Sequence, residues 1–311
     1  CIMASQWFVK VSGAFKEVNE AFVKVSGNWK EIQEGYIKVS GAWKKFYQAF
    51  VATGFTQQTS STTVAVPSGA NAIHIQAAVG GGSGGVMGAE YDKAGGESAG
   101  AGGASGGYIS DKIFTVAEGE TLTLTVGGSG SAGSGSGYNT TAGNGGTTSL
   151  SGDSTGSIFS LSGGVGGSGT GGGVQGPLRS NNPSTAGTAT ISASAITTST
   201  LSFKEANGAS VTIGTAVTLD DGPVGSFNQS GNGTAGTNPG NCSGDNCQIT
   251  GGVGGSSYNG NISGGAGGVA SSSAGGAGTR GSGGGGGGAQ STTQGGAGGG
   301  GEIYYRFLRL T

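Results

Sequence analysis

Hydrophobic and polar positions alternate in short runs along most of the chain, and no stretch sustains a helical period. The first fifty residues repeat one pattern. Phe8-Val9-Lys10-Val11-Ser12-Gly13-Ala14-Phe15-Lys16-Glu17-Val18 recurs as Phe22-Val23-Lys24-Val25-Ser26-Gly27-Asn28-Trp29-Lys30-Glu31-Ile32, then as Tyr36-Ile37-Lys38-Val39-Ser40-Gly41-Ala42-Trp43-Lys44-Lys45-Phe46. The period is fourteen, and Phe50-Val51 opens a fourth copy that breaks off. Two β-prone runs around Ser-Gly predict a β-hairpin in each unit. A three-residue loop would pair Val25 with Trp29 and Phe22 with Ile32, but would set Lys24 against Lys30; a two-residue loop would pair Lys24 with Trp29 as a cation–π contact. One hairpin cannot bury its own aromatic face. The repeats are therefore expected to stack on one another or on other chains, with Phe8, Phe15, Phe22, Trp29, Tyr36 and Trp43 as the oligomer or attachment residues.

A second region starts at Gly54. Thr62–Val66, Ala72–Val79, Tyr108–Val116 and Thr121–Val126 read as strands, the last in strict alternation; Thr147–Leu150 and Ile158–Leu161 read as shorter ones. Ala72–Val79 and Thr121–Val126 run straight into glycine. Residues 183–220 have few glycines and carry strand cores at Leu201–Phe203 and Val211–Ile213, which marks a β insertion at about 180–250. The closing segment Glu302–Leu310 predicts a strand with Ile303, Tyr305 and Phe307 on one face and Tyr304, Arg306 and Leu308 on the other.

Composition changes how the stretches between strands are read. Glycine fills 75 of 311 positions and keeps a three-residue phase: Gly275, Gly278, Gly281, Gly284, Gly287; Gly163, Gly166, Gly169, Gly172; Gly127, Gly130, Gly133; and Gly295, Gly298, Gly301. Three residues per turn is the repeat of a polyproline-II-type helix, where only glycine lets backbones touch. The predicted fold class is all-β with polyglycine-II helices: tandem β-hairpin repeats over 1–53, then a glycine-rich β-sandwich over 54–311.

Chemistry is sparse. Charged residues make up 10% and the net charge is −2, which leaves no basic stripe for nucleic acid and no polybasic membrane signal. No apolar run is long enough for a membrane helix, no secretory signal pattern opens the chain, and Met3 is the expected start of translation. His74, the single histidine, reads as a satisfied strand residue, Asp220-Asp221-Gly222 as a turn, and Glu90, Asp92 and Glu97 as a solvated loop. No glycine tract continues into the Lys-Ser/Thr of a phosphate loop, and the expectation is a protein with no catalytic residues, metal site or cofactor. Cys242 and Cys247 are a disulfide candidate, with free thiols or a metal site as the alternatives. Tyr91, Tyr108, Tyr138, Phe227 and Tyr258 lie in or beside Gly/Ser/Asn loops and are the receptor-contact candidates, local packing being the other reading.

Several stretches share one order. Val66-Pro67-Ser68-Gly69, the strand Ile73–Val79 into Gly80-Gly81-Gly82, Gly106-Gly107-Tyr108, the run Phe114–Gly128, and a last glycine tract into Ile303-Tyr304-Tyr305 together resemble the glycine-rich domains of bacteriophage tail fibres. A similar order occurs in the glycine-rich ectodomain of the anaplastic lymphoma kinase receptor family, although this chain lacks that family's cysteine complement, transmembrane segment and kinase domain. The fourteen-residue units resemble repeats of phage structural proteins. The resemblance implies a β-sandwich with packed polyglycine-II helices whose connecting loops bind a host receptor. It thus implies an extracellular virion protein, a homotrimer, that meets other virion proteins through residues 1–53 and a host-surface glycan or outer-membrane protein through its loops. A capsid decoration or cementing protein is the alternative, and an ice-binding or extracellular-matrix protein a more remote one.

Overall fold

A computed structural model of the chain describes residues 8–11, 14–17, 22–32, 34–48, 52–85, 100–133, 139–166, 168–170, 187–192, 201–204, 210–213, 253–254, 274–285 and 294–310. Among them every regular element is a β-strand, and every pairing between strands is antiparallel.

The first six strands form three separate two-stranded hairpins: β1 (Phe8–Val11) with β2 (Ala14–Glu17), β3 (Phe22–Val25) with β4 (Asn28–Glu31), and β5 (Glu34–Val39) with β6 (Ala42–Gln48). The registers decide the loop length. Val25 faces Asn28 and Lys24 faces Trp29, so the loop is the two residues Ser26-Gly27, with φ of 49° and 86°. Ser40-Gly41 repeats this at 51° and 86°. Positive φ at both central positions matches the twist of the flanking strands, and glycine takes the second position at no steric cost.

Beyond Ala52 the strands are β7 (Thr56–Gln58), β8 (Thr62–Ala65), β9 (Ala72–Val79), β10 (Tyr108–Thr115), β11 (Thr121–Thr125), β12 (Asn139–Thr141), β13 (Thr148–Gly152), β14 (Gly156–Leu161), β15 (Ser168–Thr170), β16 (Ala189–Ile191), β17 (Leu201–Lys204), β18 (Ser210–Ile213) and β19 (Glu302–Leu308). One sheet has the order β10-β9-β19-β7, the other β16-β14-β13-β11-β8; β12 pairs with β15 and β17 with β18.

A single buried cluster draws on both large sheets. Ile73, Ile75, Phe114, Ile303, Tyr305 and Phe307 come from the first, Leu122, Leu124, Leu150, Ile158, Phe159 and Leu161 from the second. The rings of Phe114 and Phe159 lie 6.2 Å apart between centroids. Strand β11 shows how alternation does this: Leu122 and Leu124 are buried while Thr121, Thr123 and Thr125 face solvent.

The chain order gives the sheets two unlike ends. At one end are tight turns, including Pro67–Ala70 and Ala117–Glu120, together with Thr53, whose N–H donates to the Phe307 carbonyl at 3.1 Å. At the other end β9, β11 and β14 run into glycine-rich backbone, and β10, β13, β16 and β19 emerge from it. The junctions bond to one another: Gly80 N–H to Gly107 carbonyl, Gly107 N–H to Ser162, Ser162 N–H to Thr188 and Gly301 N–H to Gly127, all at 2.8–2.9 Å.

Candidate functional site: the glycine segments and the exposed hairpins

Residues 80–85 continue β9 away from the sheets and make a rotating set of hydrogen bonds. The N–H groups of residues 80 and 83 donate to Gly107 and Ala104, those of 81 and 84 to Gly146 and Gly143, and those of 82 and 85 to Gly299 and Gly296, at 2.8–3.0 Å. Each neighbour is met again after three residues. The carbonyls of residues 81, 82, 83 and 85 accept from Gly164, Gly130, Gly284 and Gly133, so six neighbouring segments surround this one. The backbone groups that such a buried segment must satisfy are thus met segment by segment.

Contact this close leaves no room for side chains. A Cβ on Gly81 or Gly84 would fall within the carbonyls of Gly128 and Ser131, and one on Gly82 or Gly85 within those of Ser282 and Gly285. Where a side chain is admitted it is small and used. Ser83 is fully buried, and its Oγ accepts from the Ala104 N–H at 2.7 Å. Arg280, at φ 45°, turns the chain beside the sheet, and its Nε lies 3.7 Å from Oε2 of buried Glu302.

The described residues stop at Gly85, Gly133 and Gly285 and resume at Gly100, Asn139 and Gln294. Four of the receptor-contact candidates fall between described stretches: Tyr91 between Gly85 and Gly100, Tyr138 between Gly133 and Asn139, Phe227 between Ile213 and Val253, and Tyr258 between Gly254 and Ala274. They lie outside the described residues, as do Cys242, Cys247, the acidic group Glu90, Asp92 and Glu97, and Asp220-Asp221-Gly222. Tyr108 opens β10 as a half-buried side chain packed with Ala77, Val79 and Tyr304, which is the local-packing reading of that residue.

His74 is buried within β9. Its Nδ1 accepts from Arg306 Nε at 3.3 Å, and its ring meets Phe55 edge-on at 5.5 Å between centroids. The Arg306 guanidinium lies 4.4 Å from the Phe55 ring centre, and Phe55 stacks on Tyr304 at 5.3 Å. The histidine is thus held as a structural residue that ties the segment leading from the hairpins to the sheet. Phe55 carries no periodic signal that would have marked this role.

Glu120 was also silent in the sequence, where it reads as one residue of a turn. Its carboxylate is buried and accepts from the N–H groups of Ala117, Ser154 and Thr155 and the Thr155 hydroxyl, at 2.6–3.2 Å. Burial acts to raise its pKa, but the four donors outweigh that, and the net shift is below the ordinary value of 4.5. It clasps the β10–β11 turn to the β13–β14 turn. Among the described residues, no three His, Cys, Asp or Glu side chains are grouped to hold a metal ion.

The second and third hairpins place apolar residues in solvent. Trp29 is 69% and Trp43 68% exposed, and Phe22, Val23, Val25, Tyr36, Ile37 and Val39 are exposed with them. Lys24 Nζ sits 5.8 Å from the centre of the Trp29 ring, and Lys38 Nζ 6.0 Å from that of Trp43. Phe8 and Phe15 lie on β1 and β2, Phe8 in register with Glu17 and Phe15 with Lys10.

Comparison with curated proteins gives no match. A family model described as a glycine-rich domain matches residues 56–308, which takes in both large sheets and the glycine segments. The chain therefore belongs to the glycine-rich domain family.

Proposed function

We propose that this protein is a non-enzymatic bacteriophage virion component, a fibre or adhesin that binds the host surface. In this reading the two large sheets form a β-sandwich, and the glycine segments are polyglycine-II helices packed side by side. The carrying observation is the rotation of hydrogen bonds around residues 80–85, three residues per return to each neighbour. A helix with that repeat offers its N–H groups to three directions in turn.

Such a bundle is stiff because its backbones bond to one another in several directions at once. Tyr91, Tyr138 and Tyr258 fall in sequence between such glycine segments, and in this reading they are the receptor contacts. Host-surface glycan or outer-membrane protein is their expected ligand. The N-terminal segment joins at the opposite, turn-bearing end through Thr53 and Phe307. That polarity suits a particle-facing attachment made by residues 1–53 and a host-facing end made by the loops, in an extracellular virion position and as a homotrimer.

The test is surface labelling. The fluorescently tagged full chain, applied to a panel of bacterial strains, labels a subset of them, and substitution of Tyr91, Tyr138 and Tyr258 by Ala removes the label. A chain that labels no strain, or labels all strains equally with or without those tyrosines, overturns receptor binding and favours the capsid-decoration reading. Light scattering at micromolar concentration tests the assembly, where a monomer overturns the trimer.

A further inference from the structure

The exposed apolar surface of the hairpins is accompanied by an uneven distribution of charge. Residues 1–53 hold Lys10, Lys16, Lys24, Lys30, Lys38, Lys44 and Lys45 against Glu17, Glu20, Glu31 and Glu34, a net +3, whereas the whole chain is −2. The rest of the chain is therefore −5, and half of the 14 basic residues sit in the hairpin segment.

The arrangement repeats. Lys10 is in register with Phe15, Lys24 with Trp29 and Lys38 with Trp43. In the third hairpin Tyr36, Lys38 and Trp43 share one side of the pleat, while Ile37, Val39 and Lys44 share the other, and all six are exposed. Apolar surface and cations thus occur on both faces. A strand pair built to lie on a bilayer segregates them, with charge on one face and apolar groups on the other. A nucleic-acid surface would use a denser cationic stripe, and here glutamates interleave with the lysines.

We infer that the hairpins are cationic–aromatic fingers that insert between the walls of an acidic groove with an apolar floor on another protein. The inference rests on the attachment reading of residues 1–53 and adds the chemistry of what they attach to. Carboxylates of the groove meet Lys24 and Lys38, the indoles of Trp29 and Trp43 fill the floor, and opposite charge steers the encounter. Aromatic anchors in pockets carry most of the energy of such interfaces. Three fingers on one chain raise the overall affinity by effective concentration, so the partner is an assembly that repeats the groove.

The probe is a random copolymer of glutamate and tyrosine, which offers carboxylates and apolar rings together. The chain's three tryptophans are Trp7, Trp29 and Trp43, all in the hairpin segment, so tryptophan emission from the full chain reports on this region alone. The expected result is a saturable emission change, with binding about tenfold weaker in the Lys24→Ala/Lys38→Ala variant and strongly reduced in about 0.5 M salt.

No saturable response to the copolymer overturns the inference. So does an equal response to phosphatidylserine vesicles or to duplex DNA, which would make the partner a membrane or a nucleic acid. Incorporation into the particle separates the two readings. If Trp29→Ala/Trp43→Ala abolishes incorporation while the copolymer fails to bind, attachment stands and the acidic groove falls.

Discussion

Replacing Gly84 by Ala adds one methyl group at the centre of the glycine bundle. Its Cβ would overlap the Ser131 carbonyl, where real Cβ atoms come no nearer than 3.0 Å. The obstacle is backbone, so no side chain can swing aside. Moving Ser131 disturbs the bond it accepts from the Gly143 N–H at 2.9 Å and the one that neighbouring Gly130 donates to Gly82 at 2.8 Å. Overpacking costs about 1–3 kcal/mol, and a buried hydrogen bond lost on top of it costs about 1–3 kcal/mol. Against this, Ala removes about 0.4–1 kcal/mol of unfolded-chain entropy. The expected net loss is about 3 kcal/mol, which lowers Tm by about 10 °C for a domain of this size.

Gly128 supplies the control, since a Cβ there meets nothing within 4 Å. Gly128→Ala is expected to be neutral or stabilising by up to about 1 kcal/mol. The assay is thermal unfolding of the full chain followed by far-UV circular dichroism. Tryptophan fluorescence would not serve, because Trp7, Trp29 and Trp43 lie in the hairpin segment. If Gly84→Ala and Gly128→Ala melt together with the wild type, close backbone contact is not what the glycines provide.

Two further predictions concern the turns. The Glu120 carboxylate has a folded pKa below 4.5, so it contributes stability above pH 4.5 that is lost as pH falls through the folded value. Glu120→Gln, which sets an amide N–H against backbone donors, is expected to cost about 2 kcal/mol at pH 7, a gap to the wild type in urea unfolding that narrows towards pH 3; a gap constant with pH refutes the carboxylate's role. In the hairpins, Gly27→Ala and Gly41→Ala place a side chain at φ 86° and are expected to cost about 1 kcal/mol each. Near-ultraviolet circular dichroism of Trp29 and Trp43 reads the loss, and an unchanged signal refutes the two-residue turns.

The elements legible in the sequence are those whose side chains alternate strongly. Thr121–Thr125, with Leu122 and Leu124 inward, matches its expected pattern, and Glu302–Leu308 puts Ile303, Tyr305 and Phe307 into the core as read. Strands β7, β12, β15 and β16 gave no signal, because each is only three residues long, too short to show alternation, and pairing alone defines them. The hairpin loop length was open between two and three residues. Side-chain pairs could not separate the registers, whereas the left-handed geometry at Ser26 and Gly27 fixes two.

The three-residue phase of glycine does not hold throughout: Gly281, inside the Gly275–Gly287 series, turns the chain at φ 74°, and Gly169, inside the Gly163–Gly172 series, pairs with Thr140 as part of β15; which segments touch was not legible either. Gly81 meets Gly146 and Gly82 meets Gly299 across long spans of chain, and identical residues carry no information about partners. Glu120 and Phe55 were invisible for a related reason: their importance comes from donors and rings that other turns and strands bring to them.

Amide hydrogen exchange of residues 80–85 shows whether the backbone of the glycine segments is ordered. Bonded on every side, these amides are expected to exchange as slowly as those of β9, with protection of about 1,000-fold or more over the unfolded chain. Exchange at the unstructured rate, with β9 still protected, would show that the glycines are slack chain and would contradict the account.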